Sequence, residues 1–225
     1  MRYAIYFVPS ADDRLWQAGN LWLGRDPESG AVFAQNAEDA LATAEPRRYG
    51  FHATLKPPFT LASDRDPAGL EAALADFACE RVPFEASGLK VSRLGRFVAL
   101  VPNDPTPELH ILADACVRSF EPFRAPLSDA EIARRRPADL TPRQADYLLR
   151  WGYPYVFEEF RFHMTLTGSL DPVAAQSYEN RLEALFAPIL SPRIRIREIA
   201  LFVEPAAGEA FRLMRRFLLG SSAAR

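Results

Sequence analysis

The chain has 225 residues and a formal net charge of −2, and 48% of its residues are hydrophobic. This composition is ordinary for a globular protein with a sizeable core, and its charge lacks the basic excess typical of nucleic-acid-binding proteins. No stretch approaches the ~18 consecutive apolar residues of a membrane-spanning helix. The opening residues are typical of a strand rather than of a secretory signal, so we expect a cytoplasmic protein with free thiols.

The first half of the chain predicts alternating strands and helices. A strand over Arg2–Val8 precedes a helix that begins near Asp13 and ends near Gly24, whereas residues 26–43 are weakly patterned. A second helix is predicted from Asp66-Pro67, because proline is favoured in the first turn of a helix. Residues 84–91 and 97–101 predict a hairpin around Gly95, and residues 108–123 predict an amphipathic helix.

The second half repeats this order after a helical connection. Residues 122–153 contain a basic run, Arg134–Arg136, and a predicted helix from Thr141 to Gly152. We interpret the basic run as a solvated face; a lid over the substrate is the alternative. A helix follows from Asp171-Pro172, and residues 193–203 and 211–218 predict a strand pair with a bulge near Arg197. We therefore predict one domain, with lobes over about 1–125 and 153–225 joined by residues 126–152.

A five-residue motif occurs twice, as Phe51-His52-Ala53-Thr54-Leu55 and as Phe162-His163-Met164-Thr165-Leu166. Successive side chains of a strand point to opposite faces. The apolar residues of each copy therefore face a core, while the histidine and threonine face the other way. Prolines directly after the first copy are expected to end its strand. A purely structural role is a plausible explanation for the histidine of one copy. It is a poor explanation for both, since the chain has only three histidines.

Two imidazoles that face one substrate supply a base and an acid near neutral pH. Hydrolysis of a phosphodiester needs both, because one group activates water while the other protonates the departing alkoxide. The hydroxyls of Thr54 and Thr165 are candidates to hydrogen-bond the phosphate oxygens. These two threonines, with His52 and His163, are the candidate catalytic residues.

Four further residues are candidate substrate contacts. Lys56 and Arg161 rank highest because their parity in the strand matches that of the histidines, and Tyr6 and Thr167 also lie on suitable predicted faces. We expect no metal site and no cofactor. Two histidines without a third ligand motif are a thin coordination set, and His110 stands alone in a predicted helix.

The paired motif, one copy on a strand in each half, resembles the signature of the two-histidine (2H) phosphoesterase superfamily. The opening Arg2-Tyr3-Ala4-Ile5-Tyr6-Phe7 and the stretch Tyr49-Gly50-Phe51-His52-Ala53-Thr54-Leu55-Lys56-Pro57-Pro58-Phe59 look more specifically like its bacterial branch found with phosphonate-utilisation genes. The resemblance implies a bilobal, duplicated α+β fold in which two antiparallel sheets line a central cleft with helices outside. It also implies His52 and His163 as the acid/base pair, with Thr54 and Thr165 as ligands of the phosphate oxygens.

The leading functional hypothesis is a metal-independent cyclic phosphodiesterase acting on a small phosphate ester, such as a ribose cyclic phosphate of phosphonate metabolism. We expect it to act as a monomer, with no membrane partner. Processing of RNA 2′,3′-cyclic phosphate ends is an alternative, in which Arg134–Arg136, Arg193, Arg195 and Arg197 would follow a nucleic-acid backbone. A phosphate or nucleotide sensor that binds without turnover is another.

Overall fold

The structure, a computed structural model, describes residues 1–135 and 140–221. In these ranges the strands are β1 (Arg2–Phe7), β2 (Ala53–Phe59), β3 (Phe84–Ser87), β4 (Leu89–Leu94), β5 (Phe97–Pro102), β6 (Met164–Thr165), β7 (Arg193–Ile196), β8 (Glu198–Glu204) and β9 (Arg212–Leu218). The helices are α1 (Arg14–Leu23), α2 (Ala37–Ala42), α3 (Ala44–Tyr49), α4 (Pro67–Cys79), α5 (Pro107–Ser119), α6 (Asp129–Arg135), α7 (Pro142–Trp151) and α8 (Pro172–Phe186).

The strands form two antiparallel sheets of unequal size. Seven strands lie in the order β4-β5-β6-β2-β1-β8-β9, and β3 pairs with β7 in a separate two-stranded sheet. Helix α5 packs on β2, α8 packs on β4 and β5, and α4 packs on β8 and β9. The predicted α+β fold with antiparallel sheets and helices outside is therefore confirmed. Within the described residues, no helix combines the length and the apolar composition needed to span a membrane.

Side-chain caps begin the helices near the predicted residues. The carboxylates of Asp13, Asp66 and Asp171 accept hydrogen bonds from the first-turn amides of α1, α4 and α8. Thr141 begins α7 with a capping box, and Gly152 ends that helix in the left-handed region. Such caps satisfy amide groups that have no partner inside the helix, which explains why these boundaries can be predicted from sequence.

Residues 26–43, which are weakly patterned in sequence, contain α2, and α3 follows directly. Two local predictions are wrong. Strand β2 continues to Phe59 through Pro57 and Pro58. Its pairing with β6 is confined to Ala53, and prolines occur in strands at positions where they remove no ladder donor. Near Arg197 there is no simple bulge: the chain leaves the small sheet at the end of β7 and enters the large one at β8.

The two halves of the sequence interleave in the large sheet. Strand β6, from the second half, lies between β5 and β2 from the first half, and β8 of the second half pairs with β1 of the first. The division into lobes over about 1–125 and 153–225 stays a prediction. The proposed role of the Arg134–Arg136 side chains lies outside the described residues.

Candidate active site

The two repeated motifs lie on neighbouring strands of the large sheet. Ala53 of β2 pairs directly with Met164 of β6 in antiparallel register, and both side chains are fully buried. The residues that flank this pair must point to the other face of the sheet. All four flanking side chains are partly exposed and line one cavity: His52, Thr54, His163 and Thr165.

The register sets the arrangement of these four residues. Extending the Ala53–Met164 pair by one position each way places His52 opposite Thr165 and Thr54 opposite His163. Side chains directly opposite each other have Cβ atoms roughly 4.5–5.5 Å apart, and diagonal neighbours are roughly 7–8 Å apart. The two imidazoles therefore occupy one diagonal of a quadrilateral and the two hydroxyls occupy the other, which leaves room for a phosphate-sized group at its centre.

A backbone carbonyl two residues earlier orients each imidazole. Nδ1 of His52 lies 2.8 Å from the carbonyl oxygen of Gly50, and Nδ1 of His163 lies 2.7 Å from that of Arg161. Because a carbonyl oxygen can only accept, both Nδ1 atoms carry the proton. The basic atom of each neutral ring is then Nε2. In His52 this atom lies 3.2 Å from the Thr54 hydroxyl.

Gly50 supplies the carbonyl that orients His52. It follows the last residue of α3 and has φ of 84°, a conformation that residues with a Cβ rarely adopt. A Cβ there would also lie 2.7 Å from Cγ of Pro27. The turn that presents this carbonyl therefore depends on glycine.

Helix α1 fixes the backbone of both motifs. Phe51 is fully buried against Gly19, where an added Cβ would lie 2.3 Å from the aromatic ring. The indole nitrogen of Trp22 donates a 2.8 Å hydrogen bond to the carbonyl of Leu166 in the second motif. One helix thus contacts the residue before His52 and the residue after Thr165, so the two histidine-bearing segments share a support.

Tyr6 forms an aromatic wall beside His52. The two rings are stacked with centroids 3.7 Å apart and planes 26° apart, and Tyr6 is only 1% exposed. Burial raises the pKa of the Tyr6 hydroxyl well above its ordinary value, so the ring stays neutral. The stacked face removes water from one side of the imidazole, which disfavours its protonated form.

Burial controls the charge of both histidines. It lowers the pKa of His52 to about 4; the hydrogen bond to Gly50 opposes this effect, and the nearby His163 adds to it. Burial also lowers the pKa of His163, by less, against the hydrogen bond to Arg161. Both rings are therefore neutral at neutral pH in the ligand-free protein. Two positively charged imidazoles in this cavity would repel each other. Protonation of one ring therefore disfavours protonation of the other unless an anion is bound.

The low pKa of His52 predicts acid sensitivity. The unfolded chain binds a proton at this residue below pH 6.5, whereas the folded chain does so only near pH 4. The contribution of His52 to the free energy of unfolding is therefore fully present above pH 6.5. It falls by about 1–3 kcal/mol as the pH falls towards 4. Urea unfolding at pH 7.5 and at pH 5 measures this effect. Between these two pH values the free energy of unfolding should decrease less in His52→Gln than in the wild type. In His110→Gln, which changes an exposed histidine, the free energy of unfolding should decrease as much as in the wild type. Equal decreases in all three proteins would contradict the assignment of this acid sensitivity to His52.

Two adjoining cavities share Thr54 and His163 of the motif residues in their linings. The first, which we call the His chamber, has a volume of about 480 Å³ and contains the four motif residues together with Tyr6, Glu45, Tyr49 and Ser169 in its lining. The second, the aromatic chamber, has a volume of about 500 Å³ and is lined by Phe97, Tyr153, Tyr155, Phe157 and Phe160, among others. Both linings include Thr54, Pro57, Phe97, Tyr153 and His163, so a ligand at the histidines can extend into either chamber.

The predicted substrate contacts have different positions. Arg161 is exposed and lines the aromatic chamber, and Tyr6 lines the His chamber. Thr167 borders the His chamber, but its hydroxyl donates to the carbonyl of Gly168 at 3.0 Å and accepts from the amide of Val98 at 3.0 Å. We infer that Thr167 fixes the loop after β6 rather than binding a ligand.

Lys56 lines neither chamber, contrary to the prediction that it contacts substrate. Its side chain is 1% exposed, and its ammonium donates to the carbonyl of Val117 and to the carboxylate of Glu121 at 3.1 and 3.0 Å. The reason is a register shift: adjacent residues of β1, Ile5 and Tyr6, pair with Lys56 and Thr54. This bulge in β2 breaks the two-residue alternation, so parity no longer places Lys56 beside His52.

Aromatic residues outside the motifs complete the chambers and were not predicted as site residues. Tyr49 ends α3, Phe97 begins β5, and Tyr153 follows α7. In sequence each resembles an ordinary core aromatic, and no signal there could have placed it at the site. Over residues 1–135 and 140–221, no group of three or more potential metal-ligating histidine, cysteine or acidic side chains comes together.

Comparison with known proteins identifies a family. Residues 54–212 match the sequence profile described as "Protein of unknown function (DUF1045)". The match covers more than two thirds of the chain, and the protein belongs to this family.

Two curated relatives carry the same name, ribose 1,5-bisphosphate phosphokinase PhnN. The one from Janthinobacterium sp. (strain Marseille) is 44% identical over 177 residues, which cover 75% of this chain and 39% of the relative. The one from Laribacter hongkongensis (strain HLHK9) is 40% identical over 219 residues, which cover 96% of this chain and 51% of the relative. The chain thus spans about half or less of the length of these relatives.

Solved structures with a similar course of the chain have low sequence identity. E. coli LigT complexed with 3′-AMP is 13% identical, with 98% of each chain covered and a TM-score of 0.49. TT0787 of Thermus thermophilus is 15% identical, with the same coverage and a TM-score of 0.46. Both TM-scores lie below 0.5, so nothing about function follows from this likeness.

Proposed function

We propose that the protein is a phosphoesterase of the 2H type that hydrolyses a small cyclic phosphate without a metal ion. One observation carries this proposal: two imidazoles with fixed Nδ1 protons lie diagonally across one cavity, with a threonine hydroxyl opposite each. A phosphodiester placed between them has a base on one side and an acid on the other. General acid–base catalysis by two such groups supplies typically ~10²–10⁴-fold each.

The proposed reaction begins with a water molecule on the His52 side. Nε2 of His52 takes a proton from this water as its oxygen attacks phosphorus. On the opposite side, Nε2 of His163 gives its proton to the ring oxygen that leaves as an alcohol. The product is a phosphomonoester, and the proton gained by His52 returns to His163 through solvent. The Thr54 and Thr165 hydroxyls donate hydrogen bonds to the non-bridging oxygens, where charge builds up in the transition state.

The pKa values support this division of roles. His52, with the pKa lowered to about 4, remains neutral and is suited to act as the base. The pKa of His163 is lowered by less. A bound phosphate anion favours the protonated form of a neighbouring imidazole. Substrate binding would therefore protonate His163 first and prepare it to act as the acid.

A ribose cyclic phosphate is the proposed substrate. The curated relatives are named for ribose 1,5-bisphosphate, which carries phosphomonoesters at C1 and C5. Hydrolysis of a 1,2-cyclic phosphate of ribose 5-phosphate, with cleavage at O2, yields this compound. The chambers, of about 480 and 500 Å³, have volumes in the range of small-molecule sites.

The test is turnover of this cyclic compound by the purified protein, followed by ³¹P NMR. We expect conversion to ribose 1,5-bisphosphate at an unchanged rate after dialysis against EDTA, since neither proton transfer requires a metal ion. A rate that collapses with EDTA and returns with a divalent cation would contradict the metal-independent mechanism. Binding without any product would instead support a sensor.

RNA end processing has no specific support from the described residues. Arg193 and Arg195 lie on the two-stranded sheet and pair with Glu85 at 3.9 and 3.5 Å. Neither they nor Arg197 line a chamber. A small substrate therefore fits the described surface better than a nucleic-acid backbone that follows these arginines.

A further inference from the structure

The aromatic chamber contains cations that the proposed hydrolysis does not use. Arg93, near the end of β4, and Arg161, two residues before His163, both line it, and both are exposed. The backbone carbonyl of Arg161 lies 2.7 Å from Nδ1 of His163, so the chain brings this arginine close to the catalytic imidazole. Arg93 approaches the same chamber from a different strand.

The two guanidinium groups have no acidic partner among the described residues. The salt bridges formed within 1–135 and 140–221 include neither Arg93 nor Arg161. The one acidic residue in the lining of the aromatic chamber, Glu159, accepts a 2.8 Å hydrogen bond from Gln144 and lies 3.5 Å from Arg143. The Glu179 carboxylate accepts a 2.9 Å hydrogen bond from the backbone amide of Arg93, but among the described residues no carboxylate pairs with either guanidinium, and both arginines line a concave, partly apolar space.

Arginine is suited to bind phosphate, because its planar guanidinium matches two phosphate oxygens at once. The aromatic walls add apolar surface beside such a contact. A ligand whose cyclic phosphate sits between the imidazoles reaches this chamber past His163 and Thr54, which line both spaces.

We propose that Arg93 and Arg161 bind a second phosphate, a phosphomonoester on the same small sugar that carries the cyclic phosphate. These residues would then select doubly phosphorylated substrates. The proposal rests on the proposed function and deepens it, because it names the group that distinguishes a good substrate from a poor one. In the ribose compound considered above, this group is the 5-phosphate.

The first test compares two substrates. For the 1,2-cyclic phosphate of ribose 5-phosphate, Arg93→Ala and Arg161→Ala should each lower kcat/KM by roughly ten- to hundred-fold, mainly through KM. For the 1,2-cyclic phosphate of ribose, which lacks the 5-phosphate, kcat/KM should be low in the wild type and little changed in the variants. Arg96→Ala removes an exposed arginine of the same hairpin that lines neither chamber and should behave as the wild type with both compounds.

A binding measurement separates this proposal from the proposed function. Calorimetry with the double variant His52→Ala/His163→Ala should show ribose 1,5-bisphosphate binding at least ten-fold more tightly than ribose 1-phosphate. Adding Arg93→Ala should abolish this preference, and adding Arg96→Ala should preserve it. Equal affinities for the two sugars would overturn the second-phosphate site even if the cyclic compound is hydrolysed. A preserved preference without any hydrolysis would support the site and contradict the enzyme.

A nucleobase is the competing occupant of the aromatic chamber. If a nucleoside 2′,3′-cyclic monophosphate proves the better substrate and Arg93→Ala leaves its kcat/KM unchanged, the chamber binds a base rather than a phosphate. That result would overturn the proposal while leaving the roles of His52 and His163 intact.

Discussion

Replacing His52 or His163 with alanine is expected to lower kcat by roughly a hundred- to ten-thousand-fold, because each variant lacks one of the two proton-transfer groups. The two residues act in one step, so the double variant should be only slightly slower than the worse single variant. KM should change less than kcat, since the threonines and the chamber walls remain. Steady-state hydrolysis of the ribose cyclic phosphate measures these effects.

The third histidine provides the matched control. His110 is exposed and contacts the edge of the Phe160 ring with centroids 5.2 Å apart. His110→Ala should have a kcat within about two-fold of the wild-type value and the same free energy of unfolding as the wild type. Full activity in either His52→Ala or His163→Ala, with the fold retained in far-ultraviolet circular dichroism, would contradict the proposed mechanism.

Replacing Glu204 with glutamine is expected to destabilise the fold by about 2–4 kcal/mol, a large part of the stability of an ordinary domain. Its side chain is fully buried and accepts hydrogen bonds from Arg2, Arg48 and the amide of Gly208. Although burial opposes it, these arginines lower the pKa of Glu204 to about 2. Glutamine would leave both guanidinium groups without a counter-charge. Urea unfolding at pH 7 measures the loss.

The position of Arg48 connects this cluster to the site. Arg48 lies in α3, two residues before the glycine whose carbonyl orients His52. We therefore expect a modest fall in activity together with the fall in stability. Glu85→Gln is the control, because Glu85 is an exposed carboxylate with long contacts to Arg193 and Arg195 and should change stability by less than about 0.5 kcal/mol. Equal losses in both variants would contradict the special role of the buried carboxylate.

The faces of the two motifs were predictable because strand alternation is a local property. In each motif, one residue lies between the histidine and the threonine, and alternation places its side chain on the buried face. These residues, Ala53 and Met164, are buried as expected. The same rule failed for Lys56, only two residues beyond Thr54. A bulge between them changes the parity, and the residues of β2 give no sign of it, since it depends on how β1 pairs.

The walls of the site could not be predicted for a different reason. Tyr49, Tyr153 and Arg93 come from the end of a helix, a loop and a hairpin, and only the three-dimensional order of strands brings them together. The order of the strands could not be predicted either. The strands of the two motifs are immediate neighbours within one sheet, an arrangement set by non-local pairing rather than by any residue pattern.

The interleaving of strands has a consequence for biosynthesis. Because β6, β8 and β9 complete a sheet begun by the earlier strands, a ribosome must deliver the chain through β9 before all strands of this sheet can pair. Until then the unpaired strand edges and the apolar surface beside them stay open to aggregation. Chaperone capture of the nascent chain, and failure of either half to accumulate when expressed by itself, would be natural outcomes of this order of assembly.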